Sequence, residues 1–190
     1  MKKLLLLIML PVSNLLFSQL VIGNETGTAA DKTSVLLDFA QGQNKGIILP
    51  YTRTVPSGQR LAEGTLILDA SNPLKAKVKL YNGIVTPESP DGWLDLSSGN
   101  EADVSSAMTE QPDADAVTES PIAQVIIGAD NSEADGVLVL ESEDHAMILP
   151  MVDSTDDIAD PAPGMIVYIN REGAKRLAVF NGVVWTYWKP

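Results

Sequence analysis

The chain has 190 residues, with 25 Asp and Glu against 13 Lys and Arg, a formal net charge of −12 and no cysteine. That composition excludes disulfides, thiolate metal sites and lipidation at a cysteine, and its acid excess repels nucleic acid and anionic lipid surfaces. A domain without disulfides is held by burial alone or by oligomerisation.

The first residues, MKKLLLLIMLPVSNLLFSQL, place Lys2 and Lys3 before an apolar run from Leu4 to Leu10. A second apolar stretch, Leu15 to Phe17, leads to the small residue Ser18. This reads as a secretory signal peptide over residues 1–18, cleaved before Gln19. Pro11, Ser13 and Asn14 interrupt it, and it is short for a bilayer span; an uncleaved anchor is the alternative. Loss of Lys2 and Lys3 leaves 25 acids against 11 bases, a formal charge of −14. The destination is extracellular or the cell surface, or else the periplasm, with no membrane span after cleavage.

Internal repetition is the most informative feature of the remaining chain. QLVIG (19–23) matches QVIIG (124–128), and SVLLDF (34–39) matches GVLVLE (136–141). GIILP (46–50) matches AMILP (146–150), AEGTLILD (62–69) matches APGMIVYI (162–169), and VKLYNG (78–83) matches LAVFNG (177–182). Five blocks in one order predict two divergent copies of one module, over 19–96 and 124–190. Residues 97–123 are acidic and rich in Ser and Ala. Val104, Met108 and Val117 are too sparse there for a continuous helical stripe, which predicts a linker with room for transient helix.

Within each copy, short apolar segments alternate with Gly, Pro, Asn and Asp. KAKVKLY (75–81) puts Lys75, Lys77 and Lys79 on one face and Ala76, Val78 and Leu80 on the other, the pattern of a half-buried strand. Asn82-Gly83 and Asn181-Gly182 predict hairpins with a type I′ turn. Pro50 and Pro150 end strands because proline cannot donate to a ladder, and Gly64 and Gly164 mark turns entering the next strands. The predicted fold is all-β: two small tandem β-meander modules, of roughly four to six strands each, joined by the acidic linker. Gly182 is followed closely by Trp185, whereas TPESPDG (86–92) is inserted between Gly83 and Trp93. Such an insertion is expected to point into solvent.

The order QLVIG, VLLDF, KGIILP, EGTLILD, KLYNG and Trp resembles a short module of secreted Bacteroidota surface proteins. Its last part also looks like hairpin motifs of phage tail fibres. The resemblance implies an exported, fibre-like or adhesin-like β-structure, often trimeric, with no catalytic residues to carry over. The Arg-containing stretch that usually comes after the proline step survives loosely as YTRTVPSGQR (51–60) and is replaced by MVDSTDDIAD (151–160) in the second copy.

Candidate chemistry is sparse. The single histidine, His145, adjoins Asp144 at a strand start, and no serine sits in a G-x-S-x-G elbow. No enzyme is expected. Between Lys79 and Arg171 lie 19 Asp and Glu and no Lys or Arg, the pattern of a solvated surface. Asn131, Glu133, Asp135 and Gly136 imitate the start of an EF-hand loop, but Ser142 stands where the bidentate glutamate belongs. No metal site or cofactor is therefore assigned. Trp185, Tyr187 and Trp188 cluster at the C-terminus, with Trp185 and Tyr187 on one strand face and Trp188 on the other. They are the candidate ligand-binding residues, as a stacking platform for sugar; the competing reading is a core or inter-subunit plug.

The function these features predict is an exported, non-enzymatic structural or adhesion protein of the cell surface, fibre-like and homo-oligomeric, with a trimer as one form. Its partners would be surface glycans or cell-envelope proteins. The alternatives are a carbohydrate-binding module using the terminal aromatics and a calcium-stabilised surface module.

Overall fold

The structure, a computed structural model, describes residues 19–112 and 123–188. The expected signal peptide and residues 113–122 of the expected linker lie outside the described residues. The first copy contains β1 (Leu20–Ile22), β2 (Val35–Phe39), β3 (Ile47–Ile48), β4 (Tyr51–Thr52), β5 (Leu66–Asp69), β6 (Lys77–Tyr81) and β7 (Trp93–Asp95). A short helix α1 (Ser105–Thr109) comes next. The second copy contains β8 (Val125–Ile127), β9 (Leu138–Leu140), β10 (Ala146–Met147), β11 (Met151–Val152), β12 (Met165–Ile169), β13 (Arg176–Phe180) and β14 (Trp185–Trp188).

The all-β expectation holds, and the two copies share one topology. Strands β4-β5-β6-β7 form one sheet and β11-β12-β13-β14 the other. The last three strands of each are an antiparallel meander, but β4 joins β5, and β11 joins β12, in parallel. Strands β1 and β2 are likewise parallel, as are β8 and β9. Parallel pairs need long connections, and the loops between β1 and β2 and between β4 and β5 supply them.

Register corrects one sequence alignment. Leu37 lies opposite Leu20, and Leu138 lies opposite Val125, so Leu37 and Leu138 are equivalent. SVLLDF and GVLVLE therefore correspond one residue away from the match their letters suggest. In a strand such a slip exchanges the two faces. It makes Val139 the counterpart of Asp38, a fully buried carboxylate. Asp38 accepts from the N–H groups of Thr28 and Ala29 at 2.9 and 3.0 Å and pairs with Lys32, which ties down the β1–β2 connection. Burial pushes the Asp38 pKa up, but the Lys32 ammonium and three backbone N–H groups outweigh it and hold the carboxyl below its usual value.

The alternation in KAKVKLY appears as expected over its strand. Ala76 and Val78 are fully buried, while Lys77 and Lys79 reach Asp95 and Asp69 on the opposite face at 3.4 and 2.8 Å. Lys75 belongs to a 3-10 turn, Pro73–Lys75, and pairs with Glu101 at 3.1 Å.

The NG turns differ from expectation. Gly83 and Gly182 have positive φ, but Asn82 and Asn181 do not, so neither turn is type I′. The asparagine side chain does the turning instead: Asn82 Oδ1 accepts from Ile84 N–H, and Asn181 Oδ1 accepts from both Val183 and Val184. An Asx turn of this kind mimics a backbone turn and leaves the asparagine φ negative. In the first copy Ile84 and Val85 are exposed, while the inserted loop is anchored at its base by Asn82 N–H donating to Gly92 O and by buried Ser89.

The start of the expected linker is structured, a second correction. Ala102 bridges to Ala76, and Val104 and Met108 are buried in the main core. Two apolar residues four apart form one helical face, and a single turn of α1 needs no longer stripe. Burial of two side chains against a preformed sheet offsets the ordering of a short acidic segment.

Candidate functional site

The two meander sheets bury one face each against the other. Leu68, Ala70, Ala76, Val78 and Leu96 of the first copy share a core with Ile166 and Val179 of the second, and Leu49, Val104 and Met108 complete it. Polar bonds cross the same boundary. Tyr51 Oη donates to Pro163 O at 2.7 Å, Asn181 Nδ2 to Asn100 O at 2.9 Å, and Thr186 Oγ1 to Leu96 O at 2.6 Å.

Backbone pairing crosses it too. Strand β3 of the first copy adds antiparallel to β12 of the second, with Ile48 opposite Met165 and Ile47 opposite Ile166. Strand β10 of the second copy adds parallel to β2 of the first. The isoleucine-leucine-proline segments thus leave their own modules and complete the sheets of the other. Sequence periodicity carries no signal for this, because a strand's side-chain pattern does not name the backbone it pairs with.

The C-terminal aromatics do not form one surface. Trp185 packs against Phe180, with ring centroids 5.1 Å apart, on a second small core containing Val152, Met165, Val167 and Ile169. Trp188 points to the shared core, and its Nε1 donates to Leu96 O at 3.0 Å. Tyr187 is exposed; its hydroxyl meets Thr155 Oγ1 at 3.0 Å, and the Arg176 guanidinium lies over its ring at 5.1 Å. The guanidinium covers one face of that ring. Beside Tyr187 is a shallow cleft of about 240 Å³ with Asp153, Asp156, Arg171 and Arg176 around it. Trp93 packs on Tyr81 in a tilted arrangement, with ring centroids 5.3 Å apart, as Trp185 does on Phe180, so the repeat keeps one aromatic cross-strand pair per module.

His145 touches both Ser142 and Asp144, but through the same atom, Nδ1. A nucleophile relay needs the two partners on opposite ring nitrogens. The backbone of the EF-hand-like stretch is tied to the first copy: Asp135 N–H donates to Arg60 O at 3.0 Å, and Glu133 O accepts from Arg60 Nε. Among the described residues no group of three or more His, Asp or Glu could hold a metal ion. No helix among them is long and apolar enough to cross a membrane.

Residues 126–190 match the family model described as a phage tail like trimerisation region. The match runs from β8 to the end of the chain and covers most of the second copy, which is therefore similar to a tail-fibre motif. Neither the curated proteins nor the solved structures give a match.

Proposed function

We propose that this chain is an exported, non-enzymatic, fibre-like structural protein that assembles as a homotrimer at or outside the cell surface. The observation that carries the reading is the similarity of residues 126–190 to a trimerisation region. The interlocked architecture supports it, because modules that complete one another's sheets are built for association. Small modules of this size also gain the burial they lack from neighbours. The shallow cleft and the shared Nδ1 contact of His145 favour structure over catalysis.

Sedimentation of the chain without residues 1–18 tests the reading. The expected mass is about three times that of the chain, whose full length weighs 20.3 kDa. A monomer at micromolar concentration overturns it.

A further inference from the structure

Each module contains one isoleucine-leucine-proline strand, and a strand has two hydrogen-bonding edges. In the first copy Ile47 pairs with Ile166, and Leu49 N–H donates to Gly164 O at 3.1 Å. In the second copy the alternate residues bond: Ala146 N–H donates to Ser34 O and Ile148 N–H to Leu37 O, both at 2.9 Å. Alternate N–H groups face opposite edges, so each strand is satisfied along one edge, and along a different edge in each copy. The edge that is bare in one copy is the edge that is filled in the other.

The receiving strands show the same complementarity. The C-terminal half of β5 is covered by β4, with Leu68 N–H on Pro50 O at 2.9 Å, and β12 is covered by β11 in the same way through Tyr168 and Pro150. The N-terminal half of β12, Met165–Ile166, receives β3. No strand among the described residues covers the equivalent Thr65–Leu66. Strand β2 receives β10, whereas β9 has no third strand among the described residues.

We propose that a second copy of this chain fills these edges, head to tail, by repeating the strand pairing, though not the shared core, already formed within the chain. Strand β10 of one chain lies antiparallel on Thr65–Leu66 of the next, and β3 of that next chain lies parallel on β9 of the first. A Cβ on Gly46 would meet Met165 Cγ at 2.5 Å, Val167 Cγ1 at 2.7 Å and the Ile166 carbonyl oxygen at 2.9 Å, so the internal joint demands glycine there. Exposed apolar side chains mark the receiving strand: Val137 is 61% and Leu138 47% accessible, where their counterparts Leu36 and Leu37 are 4% and 1%. A heterologous joint of this kind closes a ring when its rotation allows. With two modules per chain, a homotrimer is a ring of six. This inference rests on the oligomeric reading above.

The absence of cysteine makes the joint testable by engineered disulfides. Thr65→Cys and Ile148→Cys are the inter-chain equivalents of the facing pair Met165 and Ile48. In the oxidised double variant, non-reducing electrophoresis should show covalent dimers and larger species. Each single variant should run as one chain, and a mixture of the two should give dimers. Ile48→Cys with Met165→Cys should close within the chain and migrate as a monomer. Closure of that internal pair, without any Thr65–Ile148 cross-link in a chain that sediments as an oligomer, overturns the joint and leaves the oligomer standing. Sedimentation of the unmodified chain as a monomer overturns both.

Discussion

Strands β2 and β9 are one strand written twice, yet they live in different surroundings. Val35, Leu36 and Leu37 are buried, while Val137 and Leu138 are exposed. Their sequences do not account for this, since both are runs of Val and Leu. Their neighbours differ: β10 lies on β2, whose Leu36 also packs against Gly128 of the second copy, and no described strand lies on β9. Accessibility of an apolar strand here follows what is packed on it. A similar contrast separates the outer faces of the two sheets. The first copy carries a ladder of Asp69, Lys79, Lys77 and Asp95, whereas the second carries Ile169, Ala178, Arg176 and Tyr187 in equivalent places. The apolar version holds a second core, over which Ile158 and Ala162 fold.

Substitutions at paired positions sharpen the contrast. Leu37→Ala should cost about 2–5 kcal/mol of folding stability, as expected for a fully buried leucine. Leu138→Ala should cost the isolated chain under about 1 kcal/mol, because so much of that side chain is already in water, yet it should weaken assembly. Urea unfolding at low concentration measures the first effect, and sedimentation the second. Equal costs at the two positions would mean that β9 is covered within the chain.

Gly46→Val should cost about 1–3 kcal/mol through overpacking against Met165 and Val167. Ala146→Val should leave the melting midpoint of the monomer unchanged and should reduce the oligomer.

Asp38 offers a comparison in pH, since its counterpart is Val139. Its folded-state pKa is lowered, so its contribution is full above the unfolded value of about 3.9 and is lost as pH falls through the lower folded value. Asp69, lowered against burial by Lys79 and Ser71, behaves in the same sense. Asp38→Asn should therefore lower the melting temperature at pH 7 and flatten its decline as the pH falls below about 4. A decline as steep as in the parent chain would assign the acid sensitivity to other carboxylates.

The smallest effect belongs to the ionic ladder. Lys79→Ala should cost about 0.2–1 kcal/mol and should respond to salt, because the pair with Asp69 is only partly shielded.

Several features are legible in the residues alone. The offset blocks give the equivalence of the modules, the alternation of KAKVKLY gives β6 and its buried face, and the paired tryptophans give the closing strands. Three readings fail for physical reasons. The NG pairs read as turns made by backbone dihedrals, but the asparagine carboxamides bond forward and make that unnecessary. Val104 and Met108 are too sparse for a long helical stripe, whereas one turn against an existing sheet suffices. The β2–β9 alignment slips by one because two apolar runs match equally well in either register.

That the chain is all-β, that it repeats, and where each module turns and closes are written in the order of its side chains, because those features depend on local dihedral preference and on side-chain alternation. That β3 and β10 complete the opposite module's sheets emerges only on folding. Strand pairing is made by backbone N–H and C=O groups, which every residue but proline carries alike. Which edge meets which is therefore settled by packing in three dimensions and leaves no mark in the order of side chains.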